Sequence, residues 1–150
     1  MTLARLVASG FGCGFAPFAS GTIASAATLL PGALLLRFAP ALLLVAALLV
    51  TLAGLWSIRA ARVDGDPGWV VIDEAAGQLL ALWGLAHPSA TGVLAAFLIF
   101  RLLDVAKPGP IGWADRQNGA AGIMADDVFA GAITAGIVWA IGAHWPSLFG

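Results

Sequence analysis

The chain has 150 residues, of which 61% are hydrophobic and only 10% are charged, and its formal net charge is −1. Soluble globular domains carry about 25% charged residues, so this composition excludes a soluble surface and predicts an integral membrane protein. The weak net charge also excludes the dense basic face that nucleic-acid binding requires, and we expect no nucleic-acid partner.

The N-terminal segment, residues 1–20, mixes apolar side chains with several glycines and Pro17, which suit a continuous helix poorly. We predict a short interfacial helix followed by a loop. No apolar run here ends in a small-residue cleavage site, so we expect the segment to belong to the mature protein. Cys13 is the only cysteine, and without a partner or zinc-site spacing it is predicted to be a packed thiol.

Two apolar helices are predicted next, from Thr22 to Phe38 and from Ala41 to Ser57. The first should be interrupted near Pro31 and Gly32, because proline removes a helical hydrogen bond. The polar stretch 58–73 follows, and its Asp-Gly and Asp-Pro-Gly turn signals predict a loop outside the hydrocarbon.

A third helix is predicted from about Glu74 to Ala86 and a fourth from about Ala90 to Val105. Both are shorter than the roughly 20 residues that a full crossing needs. The second polar stretch, Lys107 to Asp126, contains prolines and glycines and is predicted as a loop. A last helix should cover Asp127 to Trp145.

The two polar loops fall on one face of this predicted bundle. They carry most of the basic residues, namely Arg59, Arg62, Lys107 and Arg116. The positive-inside rule makes this face cytoplasmic. With no composition shift or repeat to divide the chain, we interpret residues 1–150 as a single all-α domain. It should form a polytopic bundle of about four to five short transmembrane helices plus the N-terminal interfacial helix.

Six of the eight carboxylates collect at helix ends or loops of the same face: Asp73, Glu74, Asp104, Asp115, Asp126 and Asp127. Acids at helix N-termini complement the helix dipole, which accounts for one acid per helix start. It accounts less well for two adjacent pairs, and for Asp104 at a helix C-terminal end. Clustered carboxylates need a cation, and carboxylate oxygens together with a phosphate suit Mg²⁺. We therefore predict a magnesium and phosphate site at this face.

Two further groups could bind the phosphate. Arg101, Asp104 and Lys107 recur at every third position and share one helix face. We interpret the two cations as a phosphate clamp, because charge at membrane depth is costly; the alternative is an Arg–Asp ion pair beside a snorkelling lysine. The small residues 19–25 open a helix whose N–H groups can hold an anion, although Ser20 as an ordinary N-cap explains them equally well.

Other phosphatase chemistries lack their residues. A cysteine phosphatase needs an arginine six positions after its nucleophile, but position 19 is Ala19. A histidine phosphatase is disfavoured because His87 and His144 should lie at the opposite, outer ends of helices. Asp64-Gly65-Asp66 has the spacing of an aspartyl-phosphate motif, yet it follows basic residues instead of a buried strand, and we interpret it as a turn.

Four blocks of the sequence resemble the phosphatidylglycerophosphatase A family: GFGCGFAPFASGTIAS at 10–25, VIDEAAG at 71–77, FRLLDVAKPGPIGWADR at 100–116 and GIMADDVFAG at 122–131. The resemblance implies a multi-pass enzyme of the bacterial inner membrane whose active site faces the cytoplasm. It implies Mg²⁺-dependent hydrolysis of phosphatidylglycerophosphate to phosphatidylglycerol and inorganic phosphate, a step of phospholipid biosynthesis. The expected partners are this phospholipid and the bilayer.

Given this resemblance, the acidic residues divide into two expected roles. The leading magnesium ligands are Glu74, Asp126 and Asp127. Asp73 and Asp104 are further ligands or the base that orients the attacking water.

The phosphate-binding residues follow from the same resemblance. Arg101 and Lys107 should neutralise the phosphoryl oxygens. Hydrogen-bond donors are expected from Gly21, Thr22 and Ser25. Asp115 and Arg116 are additional candidates for the site.

Two other functions remain open at this point. A membrane phosphotransferase acting on CDP-activated alcohols also uses clustered aspartates and Mg²⁺. Its usual pattern places Asp-Gly before Ala-Arg, however, whereas here Ala61-Arg62 precedes Asp64-Gly65. A small cation transporter should carry its acids near the bilayer midplane, whereas here they collect at one end.

Overall fold

The computed structural model describes residues 1–149, and the regular elements in that range are all helical, which confirms the predicted class. The elements are α1 (Leu3–Ala8), a 3₁₀ turn (Cys13–Phe15), α2 (Ser20–Phe38), α3 (Pro40–Ala60), α4 (Ile72–Trp83), α5 (Ala90–Ala106), α6 (Pro110–Asp115), α7 (Gly119–His144) and a final 3₁₀ turn (Pro146–Leu148). The short N-terminal helix and the loop after it agree with the prediction.

Three helices are long and apolar enough to cross a membrane: α2, α3 and α7. The other two predicted crossings correspond to α4, with 12 residues, and α5, with 17 residues. At about 1.5 Å per residue, α4 is only about 18 Å long, well short of a hydrocarbon core about 30 Å thick. The structure therefore contains three candidate spans, which fits a membrane protein, and a count of four to five remains a prediction.

Helix α4 lies at the centre of the bundle, packed by α2, α3, α5 and α7. Its Leu79 and Leu82 are buried in a core that also contains Leu43 of α3 and Val138 of α7. The outer faces are apolar as well, as at the exposed Leu48 of α3. Apolar surface that faces outward on a spanning helix suits lipid, so α4 is an internal helix surrounded by lipid-facing ones.

Helix α2 differs from its prediction at two points. It continues through Pro31, so the predicted interruption is wrong. Neighbouring helices stabilise such a proline in a membrane bundle, and here Gly32 lies against Leu82 of α4. Ala19, not Ser20, is the N-cap, because the Ser20 hydroxyl instead donates to the Gly68 carbonyl at 2.5 Å.

The polar stretch before α7 was predicted as a loop, which is also wrong in part. It contains α6, and α7 begins at Gly119, two turns before Asp127. No proline interrupts residues 119–127, and Asn118 forms the N-cap. Gly122 lies against the Gln117 carbonyl, so a side chain at position 122 would prevent the tight turn between α6 and α7. Asp126 and Asp127 are thus interior helix residues, beyond the first turn where the helix dipole favours acids.

Candidate metal and phosphate site

The first turn of α4 carries Asp73 and Glu74, as predicted. The start of this helix is fixed by the N-terminal segment: the Val71 N–H donates to the Ala8 carbonyl at 3.0 Å. Gly21 of α2 lies directly against the Glu74 carboxylate, which a Cβ at this position would displace. The sequence therefore places an acidic pair at the buried junction of α2 and α4.

The second acidic pair, Asp126 and Asp127, faces the first because α4 and α7 approach closely through glycines. Gly77 of α4 lies against the main-chain oxygen of Asp127, and Gly131 of α7 lies against the carbonyl of Gly77. Small residues permit such backbone contact between membrane helices. Asp126 is held further by the Asp127 N–H, which donates to its Oδ1 at 3.0 Å.

All five acids predicted as ligands or base meet in two overlapping triads. One triad consists of Asp73, Glu74 and Asp127, and the other of Asp104, Asp126 and Asp127. Within each triad, one carboxylate oxygen from every residue lies within 4.8 Å of the others. Asp127 belongs to both, so the triads form one continuous acidic centre.

Several oxygens of this centre have no partner in the protein. Asp73 Oδ1, Glu74 Oε2 and Asp127 Oδ1 are buried without a hydrogen bond, and Asp127 is only 2% exposed. Burying unpaired carboxylates is costly unless they coordinate a cation. A donor set made only of carboxylate oxygens fits Mg²⁺, which takes hard oxygen ligands.

The two predicted cations flank the acidic centre. Arg101 forms an ion pair with Asp104 on the same helix, which was the alternative to a phosphate clamp, while its Nε is buried without a partner. Lys107 ends α5 with a left-handed backbone (φ 48°). Its ammonium donates to Asp126 Oδ2 at 2.8 Å and also to Asp115 Oδ1.

The Lys107 ammonium is a stable positive charge. Burial alone would lower the pKa of Lys107, but the hydrogen bonds to Asp115 and Asp126 outweigh it and raise that pKa. A phosphate that approached the acidic centre would therefore meet the positive charge of Lys107 beside the Arg101 guanidinium.

The two additional candidates, Asp115 and Arg116, end α6. This short helix packs against the preceding turn because Gly112 lies against the Lys107 carbonyl, and Asp115 thereby reaches the Lys107 ammonium. Arg116 is exposed and forms no ion pair with any residue in the range 1–149.

Of the three predicted donors of α2, Gly21 lies against Glu74. Ser25 is fully buried and its hydroxyl donates to the Gly21 carbonyl at 2.8 Å, which leaves its lone pairs as acceptors. Thr22 is partly buried in the first turn. Their role in binding phosphate remains a prediction.

Two polar residues near the centre were not predicted as part of it. Asp66 lines a polar cavity of about 360 Å³ together with Asp115 and Asn118. Loss of solvent raises the Asp66 pKa, while the nearby Lys107 charge opposes the rise. Gln78, one turn after Glu74, is fully buried with both amide atoms unpaired.

The sequence offered different signals for these two residues. A glutamine inside an apolar helix indicates a functional position, because a polar side chain is costly there. Asp66, in contrast, is indistinguishable in sequence from a turn carboxylate.

The histidines lie away from the acids, as expected. His87 follows the end of α4, and His144 is the last residue of α7. His87 lines a cavity of about 230 Å³ with Trp139 and Phe149 at the far end of the bundle. Neither histidine belongs to either carboxylate triad.

Comparison with known proteins identifies one matching family and two relatives that carry the same name. Residues 6–142 match the family described as phosphatidylglycerophosphatase A. The phosphatidylglycerophosphatase A of Escherichia coli K12 is 42% identical over 95% of this chain and 85% of its own length. That of Haemophilus influenzae Rd is 36% identical over 94% of this chain and 89% of its own length.

A third relative carries a different name. This Bacteroides thetaiotaomicron protein, provisionally named a phosphatidylinositol-3-phosphatase, is 40% identical over 84% of this chain and 85% of its own length. No solved structure matches the chain.

Proposed function

The chain belongs to the phosphatidylglycerophosphatase A family and is a lipid phosphomonoesterase, and from that premise we propose Mg²⁺-dependent hydrolysis of phosphatidylglycerophosphate. The products are phosphatidylglycerol and inorganic phosphate. The active site faces the cytoplasm from the bacterial inner membrane, as the positive-inside rule indicates for Arg59 in the last turn of α3 and Arg62 in the loop that follows.

One observation carries the proposal: two carboxylate triads with unpaired buried oxygens lie beside two cations. Carboxylates alone would repel a phosphate, and cations alone would bind it without activating water. The combination supplies ligands for Mg²⁺ and positive groups for the phosphoryl oxygens.

Each group has an assigned task. Glu74, Asp126 and Asp127 would hold Mg²⁺, which when bound would supply positive charge to the phosphoryl group and make water more acidic. Arg101 and Lys107 turn from their carboxylate partners toward the phosphoryl oxygens. Asp73, whose Oδ1 accepts no hydrogen bond in the protein, is a further ligand for the cation.

The size of the barrier requires this many groups. Phosphate monoesters hydrolyse so slowly without a catalyst that roughly 20 kcal/mol or more of barrier reduction is needed. No single hydrogen bond supplies that much, whereas positioning combined with charge stabilisation does.

The membrane setting suits a lipid substrate. The acyl chains lie along exposed apolar faces such as that of α3, while the phosphorylated glycerol reaches the acidic end of the bundle. The lipid does not have to leave the bilayer for its head group to be cleaved.

A phosphate-release assay tests the proposal. The purified chain in detergent, given phosphatidylglycerophosphate and Mg²⁺, should release inorganic phosphate, and chelation should stop it. Glu74→Gln and Asp127→Asn should each lower kcat by about a hundredfold or more, because the transition-state charge loses its stabilisation.

Asp64→Asn is the matched control, since Asp64 is an exposed acid outside both triads. The proposal is wrong if the wild type releases no phosphate, or if both triad variants hydrolyse at the rate of this control.

The third relative supplies a second candidate substrate. Phosphatidylinositol 3-phosphate is also a phosphomonoester on a lipid head group, and the name of the Bacteroides thetaiotaomicron protein refers to it. The same assay run with this lipid decides between the two head groups: a kcat/KM higher than that for phosphatidylglycerophosphate would reassign the substrate and leave the phosphomonoesterase chemistry in place.

A further inference from the structure

The acidic centre contains one residue that belongs to both triads. We propose that the acidic centre forms two cation positions of unequal affinity that share Asp127. The tighter position uses Asp73 and Glu74, and the weaker one uses Asp104 and Asp126. This inference rests on the proposed Mg²⁺-dependent hydrolysis and specifies how many ions the chain holds and where.

Charge supports two positions over one. The triads bring five carboxylates together, and the ion pairs supply two cations, Arg101 and Lys107. At least three negative charges therefore lack a partner, and one divalent ion would leave the centre negative and repulsive to a phosphate. Two divalent ions remove that excess. Pairs of metal ions about 3.5–4 Å apart are an established arrangement for phosphoryl chemistry.

The buried carboxylate oxygens without partners lie in the tighter position and on the shared residue. Asp73 Oδ1 and Glu74 Oε2 belong only to the first triad, and Asp127 Oδ1 belongs to the shared residue. Asp73 and Asp127 are 5% and 2% exposed, so water cannot easily satisfy them. These atoms are buried where α4 and α7 meet, and a cation is the expected partner there.

The difference in cation affinity between the two positions follows from the ion pairs. In the second triad, Arg101 binds Asp104 and Lys107 binds Asp126. Within residues 1–149, the ion pairs include no basic partner for Asp73, Glu74 or Asp127. A fixed positive charge repels an incoming cation, so the Asp104 and Asp126 position must bind more weakly.

Phosphate should couple to the weaker position. When Arg101 and Lys107 turn toward a phosphate, they release the oxygens of Asp104 and Asp126. Inorganic phosphate should therefore tighten the second ion, and by linkage the second ion should tighten phosphate by the same factor. The first ion should respond less, because neither Asp73 nor Glu74 has a basic partner to release.

Metal binding itself provides the test, without hydrolysis. Mn²⁺, which prefers similar oxygen ligands, is titrated into the metal-free purified chain and followed by calorimetry and electron paramagnetic resonance. The wild type should bind two Mn²⁺ with different affinities and show an exchange-coupled spectrum when both positions are filled. Inorganic phosphate should tighten the weaker step.

Three variants separate the positions. Glu74→Gln should lose the tight step, Asp126→Asn should lose the weak step, and Asp127→Asn should lose the coupled spectrum. Glu74→Gln and Asp127→Asn replace carboxylates that have no basic partner by neutral amides, so these metal-free proteins should be at least as stable to heat as the wild type. Asp64→Asn should bind as the wild type does.

The alternatives give different results. A single Mn²⁺ per wild-type chain, two equal and uncoupled ions, or loss of the same step in Glu74→Gln and Asp126→Asn would each overturn the inference. No Mn²⁺ or Mg²⁺ binding at all would overturn both it and the proposed Mg²⁺ dependence. Two coupled ions in a chain that leaves phosphatidylglycerophosphate intact would refute the substrate and retain the two positions.

Discussion

Gly21 shows how one absent side chain shapes the site. It stands in the first turn of α2, where a Cβ would collide with Oε1 of Glu74. The colliding atom is the end of a flexible side chain, so an alanine would move the Glu74 carboxylate instead of separating the helices. Function and stability should therefore respond differently to substitution at this position.

Gly21→Ala should lower kcat by about a hundredfold, since misplacing a catalytic group by about 1 Å can cost that much. The free energy of unfolding should change by less than about 1 kcal/mol, because helix propensity favours alanine and offsets the crowding. Phosphate release and thermal unfolding measure the two effects. Gly68→Ala, at a glycine with open space around it, is the control. Equal activity of the two variants would show that Glu74 need not occupy its observed position.

Single residues were predictable where they broke the apolar pattern. Asp73, Glu74, Asp126 and Asp127 stood out because a membrane helix rarely carries acids without a reason. The partnership of Lys107 with Asp115 was not predictable, because it depends on how α6 folds back against the preceding turn. Asp66 was interpreted as a turn residue since nothing in the sequence shows that its loop reaches the acidic centre.

At the scale of elements, the contact between α4 and α7 holds the two halves of the site together. It depends on Gly77 and Gly131, whose backbones meet where side chains would not fit. Asp73 and Glu74 lie on α4 and Asp127 lies on α7, so a small separation of the helices should disperse the first triad. Packing and chemistry are therefore coupled through these glycines.

Gly131→Ala should lower the free energy of unfolding by about 1–3 kcal/mol, the usual cost of overpacking, and should abolish most phosphate release. Gly136→Ala, on the same helix but with open space at the Cβ position, should instead be neutral or stabilising by up to about 1 kcal/mol. Thermal unfolding in detergent measures both. If the two alanine variants unfold at the same temperature, the close contact of α4 with α7 does not stabilise the bundle.

Element boundaries were predicted better than element roles. The apolar runs located α2, α3 and α5 to within a few residues, because hydropathy marks them directly. The start of α7 was placed eight residues too late, since acids are expected at helix starts. Sequence could not reveal that α4 is the central helix, because burial by four neighbours is a tertiary property.

For the whole molecule, the orientation in the membrane determines which side the acidic end faces. The loop that joins α3 and α4 contains Asp64 and lies at the acidic end, whereas His87 lies at the other end. The basic residues of that loop predict a cytoplasmic location for the acidic end. Lipid synthesised on the cytoplasmic side would then meet the site directly.

In a Cys13→Ala background, Asp64→Cys should react with a membrane-impermeant maleimide only in inside-out vesicles. His87→Cys should react only from the outside of intact cells. Labelling yield in the two preparations measures the orientation, and both positions are exposed enough to react. The opposite pattern would place the acidic centre on the outer face of the membrane.

The joint between α2 and α3 consists of Ala39 alone. Two apolar helices, with mean hydropathies of 1.4 and 2.4, joined so tightly should partition from the translocon into lipid as a single hairpin. Helix α4 is too short and too acidic at its start to partition into lipid by itself. We therefore expect it to insert into the bundle only after its neighbouring helices have been synthesised. The half of the proposed metal site that lies on α4 is thus expected to be one of the last parts of the protein to assemble during biogenesis.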